Sequence, residues 1–196
     1  MRPLDYIIHL ILSGIIIVGV YQFYFFTQRH MLREAREFSS SIDEKIPFWP
    51  AWSWVYSFLY YPAILYINWI VTDEHHFIII IFSYIILLVM QMAFFSLFPV
   101  STPEHWRTIN MGKSWSEKFL LFVQKFDDSS NCFPSMHVSV ATLTALLALG
   151  TLGPWVFLFP LLIACSCTFT KQHYLLDLPA GAALGWAAYE VYGWLM

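Results

Sequence analysis

Apolar residues along this chain run in long blocks, and polar residues gather between them. Six blocks approach the roughly 20 residues a helix needs to cross a bilayer, at about 4–27, 51–71, 77–100, 138–152, 154–170 and 175–196. The fourth is short alone and gains length from the residues leading into it, and Gly153-Pro154 separates it from the fifth. The pattern predicts an all-α integral membrane protein, a six-transmembrane-helix bundle forming a single domain over residues 1–196. Six crossings put both termini on one face. The connections 28–50 and 101–136 and the turn between the fifth and sixth spans then share the other face.

Each connection carries its own pattern. In 28–50, Arg29, Arg33 and Arg36 recur at helical spacing while Met31, Ala35 and Phe38 fall on another face. That arrangement fits an amphipathic helix lying at the interface, and a solvated charged loop is the alternative. The 101–136 connection mixes Pro, Trp and charges with the turn-rich run DDSSN before CFPSMH, and connections this long are more often functional than idle.

Composition sharpens the membrane assignment. Hydrophobic residues make up 59 % and charged residues 12 %, about half the usual share of a soluble domain. A net charge of −3 argues against a nucleic-acid partner. Nine Trp and eleven Tyr suit a chain with many helix ends at membrane interfaces. Cys132, Cys165 and Cys167 are odd in number and form no disulfide framework. The first apolar block is too long for a signal-peptide core and is expected to stay in the mature protein.

Against this background the stretch SCTFTKQHYLLDLPAG, residues 166–181, stands out. Ionisable groups beside apolar spans are expensive and are functional by default. His173 and Asp177 lie four apart, so the carboxylate can reach one imidazole nitrogen, fix the tautomer and leave the other nitrogen free. A purely structural pair is the competing reading. In FPSMHVS, residues 133–139, Pro134 suits the first turn of the fourth helix, and the amides near Ser135 and Met136 are expected to be free for phosphate oxygens. His137 sits one turn inside, placed for proton transfer; a capped helix with an interfacial histidine is the alternative. Lys171 and Arg107 are the candidate cations for an anionic substrate, with Lys113 better read as a solvated loop charge. A metal site on Cys165, Cys167 and His173 is the weaker reading. His75-His76 falls on the opposite face, and no carboxylate cluster suggests a two-metal phosphatase. The expected chemistry uses no metal and no cofactor.

PSMH at 134–137, followed by Ser166, His173 and Asp177, resembles the second and third motifs of the type 2 phosphatidic acid phosphatase superfamily, written PSGH and SRxxxxxHxxxD. FPSMH with TKQHYLLD, and more loosely IPFWPAW, is similar to the subgroup related to inositol phosphorylceramide synthases. Met136 replaces the motif's Gly and Cys167 its Arg. The first motif, KxxxxxxRP, is replaced by FPVSTPEHWR, where Arg107 is the plausible substitute.

The resemblance implies a lipid phosphate substrate held in the bilayer and a phosphohistidine on His173. Asp177 would support the imidazole, and His137 would serve as acid and then base. Lys171, Arg107 and the amides at Ser135 and Met136 would bind phosphate. Water as acceptor makes the enzyme a phosphatase, and a lipid or polyol hydroxyl makes it a phosphotransferase; a silent scaffold is the third reading. The family commonly faces its site outward. Arg29, Arg33, Arg36, Lys45, Arg107, Lys113, Lys118, Lys125 and Lys171 on the site's face, against Arg2 on the other, point it towards the cytoplasm. Sidedness and oligomeric state stay open.

Overall fold

The computed structural model describes residues 3–30, 32–38, 40–127 and 130–196. Arg2, Met31 and part of the DDSSN run therefore lie outside the described residues. The described chain is mostly helical: α1 (Pro3–Arg29), α2 (Ser41–Lys45), α3 (Ser53–Phe58), α4 (Tyr60–Ile70), α5 (Glu74–Leu97), α6 (Glu104–Thr108), α7 (Trp115–Gln124), α8 (Met136–Leu152), α9 (Leu158–Phe169) and α10 (Asp177–Leu195).

α1, α5 and the 34-residue stretch Met136–Phe169 are long and apolar enough to cross a membrane. The third of these is not one rod. Gly153 adopts φ +62°, a left-handed conformation open to glycine, and the chain turns back through a 3₁₀ segment, Gly153–Phe157. Val138 and Ala141 near the start of α8 consequently share a buried cluster with Ile163 and Cys167 near the end of α9.

Side-chain bonds orient the remaining rods. The Tyr6 hydroxyl donates to the Leu65 carbonyl at 3.1 Å, the Ser13 hydroxyl to Asn68 Oδ1 at 3.1 Å, and His76 Nε2 lies 3.1 Å from the Tyr192 hydroxyl. The start of α1, the ends of α4 and α10 and the start of α5 thus gather at one end. At the other end α8 and α10 begin and α9 ends.

α10 lies against α8 with no room to spare. A Cβ on Gly181 would stand 2.5 Å from the Ser135 carbonyl oxygen, and one on Gly185 would collide with the Ser139 carbonyl. Glycines four apart present one flat stripe on a helix, the geometry that lets backbones approach this closely.

Of the two expectations for the connection 28–50, the amphipathic helix is not formed among the described residues: α1 ends at Arg29, and Arg36–Glu37 forms a two-residue strand, β1, parallel to β2 (Val100–Ser101). Val100 also bridges Asn131. The backbone groups of 36–37 find partners in the neighbouring connection, a pairing that helical spacing of arginines within one segment cannot reveal. Lys45 closes the short α2, whose N-cap Ser40 and Asp43 form a reciprocal capping box.

Candidate functional site

The turn between α9 and α10 begins with a helix stop of unusual composition. The Gln172 N–H donates to the Cys167 carbonyl at 2.9 Å and the Lys171 N–H to the Thr168 carbonyl at 3.1 Å. This is the paired 6→1 and 5→2 arrangement of a Schellman stop. Its left-handed position, normally glycine, is Lys171 at φ 57°, a strain of order 1 kcal/mol for a side-chain-bearing residue. The stop ends the apolar helix and turns the chain so that His173 follows within two residues.

His173 is 6 % exposed. Its Nδ1 lies 2.9 Å from the Cys132 carbonyl and 3.3 Å from Asp177 Oδ2. A carbonyl only accepts, so Nδ1 carries the proton and donates, leaving the Nε2 lone pair open. Asp177 is itself held: Oδ2 accepts from the Tyr174 N–H at 2.9 Å, and its carbonyl accepts from the Ser135 N–H at 3.0 Å.

That last bond corrects one expectation. The Ser135 amide is taken by Asp177 because α8 and α10 begin side by side, and the Ser135 hydroxyl caps α8 by accepting from the Val138 N–H. The amides of Met136 and His137 have no partner among the described residues. The unpartnered amides at the start of α8 therefore begin one residue later than the sequence indicates.

His137 stacks on Tyr56 with ring centroids 4.1 Å apart, and its Nδ1 lies 3.3 Å from the Tyr56 hydroxyl. The Tyr60 hydroxyl donates to the His137 carbonyl at 2.7 Å. The His137 and His173 rings are 5.8 Å apart, centroid to centroid. The two histidines and Asp177 thus come together as their sequence pattern suggests. Cys167 joins them: its Sγ and one nitrogen of each histidine lie within 4.8 Å of one another. Cys165 is not part of that group.

The two cations are engaged elsewhere. Lys171 Nζ donates to the Asp43 carbonyl and lies 4.8 Å over the Trp106 ring. Burial pushes its ammonium below the usual lysine range, against the pull of Glu44 and Asp43. Arg107 donates to the Asp127 carbonyl at 2.7 Å and stands 3.8 Å from that residue's carboxylate. Its guanidinium is committed to the loop after α7.

Four supporting residues escaped sequence reasoning. Gln91 Nε2 donates to the Pro134 carbonyl at 2.6 Å, and Oε1 accepts from the Ser139 hydroxyl at 3.2 Å, clamping the FPSMH turn. A lone amide inside the apolar run of α5 was a readable signal, since such a group needs a partner. Asp43 Oδ1 accepts from the Leu175 N–H at 2.8 Å and braces the turn that carries His173. Tyr56 positions His137. Cys132 offers its carbonyl to His173, and burial pushes its thiol well above the usual range. Nothing local in the sequence marks these three.

The chain belongs to the PAP2 superfamily, whose profile matches residues 14–191. Membership, together with three apolar helical stretches of membrane length, makes this an integral membrane protein with phosphatase- or phosphotransferase-type chemistry. No curated protein and no solved structure matches the chain.

Proposed function

We propose that this protein is a metal-independent lipid phosphate phosphatase working through a phosphohistidine, on a phosphatidate-like lipid or a polyprenyl diphosphate. The carrying observation is the Cys132 carbonyl 2.9 Å from His173 Nδ1, which holds the tautomer whose Nε2 can attack. Nε2 attacks phosphorus, the bond to the leaving oxygen breaks, and His137 gives that oxygen its proton. His137 then takes a proton from water as the water oxygen attacks phosphorus, the N–P bond breaks and phosphate leaves. The Met136 and His137 amides, with the positive end of α8, stabilise the phosphoryl oxygens. Asp177 stabilises the charged imidazole.

Six bilayer crossings are part of the proposal, with α3–α4, α8, α9 and α10 as the spans beyond α1 and α5 and with both termini opposite the site. The outer surface supports it: only 6 % of the most apolar window of α1 is buried, and Trp115 at one end and Trp155 and Trp194 at the other are 85, 76 and 82 % exposed. Tryptophans in two such belts suit the two interfaces. Lys171, turned onto Asp43, supports the site through the turn more than through direct phosphate contact.

A phosphotransferase is the second reading, favoured by the burial of His173, which restricts water, and by the similarity to the inositol phosphorylceramide synthase subgroup. The test is phosphate release by purified protein with chelator, from phosphatidate, lysophosphatidate and a polyprenyl diphosphate. Release that vanishes in His173→Ala is expected. Absence of release, with a labelled head group passing to a lipid hydroxyl, would select the transferase.

A further inference from the structure

We infer that His137, Cys167 and His173 form a three-donor site for a thiophilic divalent cation of the Zn²⁺ type, and that its occupancy shuts off the enzyme. The regulatory half of this inference rests on the histidine chemistry proposed above; the binding half does not. One donor atom from each residue already lies within 4.8 Å of the other two. Tetrahedral Zn²⁺ with bonds of about 2.0–2.3 Å needs its donors roughly 3.3–3.6 Å apart, so small side-chain rotations close the set.

The surroundings of the donors fit a metal as well as they fit catalysis. Each histidine has Nδ1 engaged, by the Cys132 carbonyl and Asp177 for His173 and by the Tyr56 hydroxyl for His137. His173 therefore offers Nε2, and His137 offers Nε2 when its Nδ1–H donates to the Tyr56 hydroxyl. A carboxylate behind the far nitrogen of a ligating histidine is the usual support of such sites, raising the basicity of the ligand. Cys167 is fully buried beside them. A buried thiol facing two imidazoles is a soft donor set that selects zinc-like ions over Mg²⁺ or Ca²⁺. On binding, the thiol releases its proton to water, both imidazoles bind neutral, and a water completes the fourth position. His137, half-buried, is the side from which the cation arrives. Since the same two Nε2 atoms attack phosphorus and move the proton, a bound cation and a turning-over substrate exclude each other.

Chelator-treated protein in detergent is titrated with Co²⁺. The expected result is one equivalent bound with a near-ultraviolet thiolate-to-cobalt absorption, retained in Cys165→Ala and lost in Cys167→Ala. X-ray absorption on the zinc-loaded wild type needs no variant and should show one sulfur and two imidazole nitrogens. In the phosphate-release assay, Zn²⁺ should inhibit reversibly, with the half-inhibitory concentration at least about tenfold higher in Cys167→Ala. A spectrum without sulfur ligation, or inhibition unchanged in Cys167→Ala, overturns the inference. Failure of wild-type turnover under chelator would instead strike the catalytic reading, while the cobalt and absorption data would still report on the metal site.

Discussion

The carbonyl oxygen of Cys132 lies closer to His173 Nδ1 than the Asp177 carboxylate does, 2.9 Å against 3.3 Å. A main-chain acceptor therefore shares the work of fixing the imidazole. Loss of a supporting carboxylate costs about 10⁴-fold in rate when it also frees the wrong tautomer. Here the carbonyl keeps the tautomer, so Asp177→Asn is expected to lower phosphate release by about 10²-fold. A measured loss as large as that of His173→Ala would show the carbonyl to be a bystander.

Asp43 is expected to matter as much for the site as for the short helix it caps. Asp43→Ala strips the Leu175 N–H of its acceptor and dissolves the capping box of α2. The expected destabilisation is about 1–3 kcal/mol, read as a lower midpoint of thermal unfolding in detergent. Turnover should fall with it, because the turn carrying His173 loses its brace. Asp43→Asn keeps one acceptor oxygen in place of two, enough for Leu175 or for the Ser40 N–H, and should recover only part of the loss.

Gly185→Ala should separate packing from chemistry. The new methyl meets the Ser139 carbonyl and the Thr142 side chain, so α10 must shift away from α8 at a cost of about 1–3 kcal/mol. Gly193→Ala, where a Cβ meets nothing within 4 Å, serves as the matched control. Equal midpoints for the two variants would contradict the tight seam.

Lys171 gives a pH dependence with a definite sign. Burial lowers its affinity for a proton in the folded protein below the ordinary 10.5. Between the lowered folded value and 10.5 the unfolded chain holds more of this proton, so stability rises with pH across that window. Lys171→Met removes this contribution. Its unfolding midpoint should therefore gain less than that of the wild type on going from about pH 8 to about pH 10. A steeper gain in the variant would reverse the assignment.

The helical rods and the His173–Asp177 pair were legible in sequence for the same reason. Both depend on short-range spacing: apolar blocks of membrane length, and His173 with Asp177 one helical turn apart. The fate of Ser135's amide, of Arg107 and of residues 28–50 was not legible. Each is settled by a partner far along the chain: Asp177 for the amide, the Asp127 loop for the guanidinium, Val100 and Ser101 for the strand. Arginines spaced like a helix face carry no information about a strand partner more than sixty residues away. Gln91 lies between these cases, since its demand for a partner could be read while the identity of that partner could not.

The brace on the turn that carries His173 also bears on how the molecule comes into being. Asp43 meets Lys171 and Leu175 across sequence separations of 128 and 132. During synthesis the early segment leaves the ribosome long before its partners exist. Ser41–Lys45, a helix of five residues, gains these partners only once residues 171–175 have been made. Chains that stop short of residue 173 would carry the first helices and His137, without His173, Asp177 or the Leu175 amide that Asp43 holds.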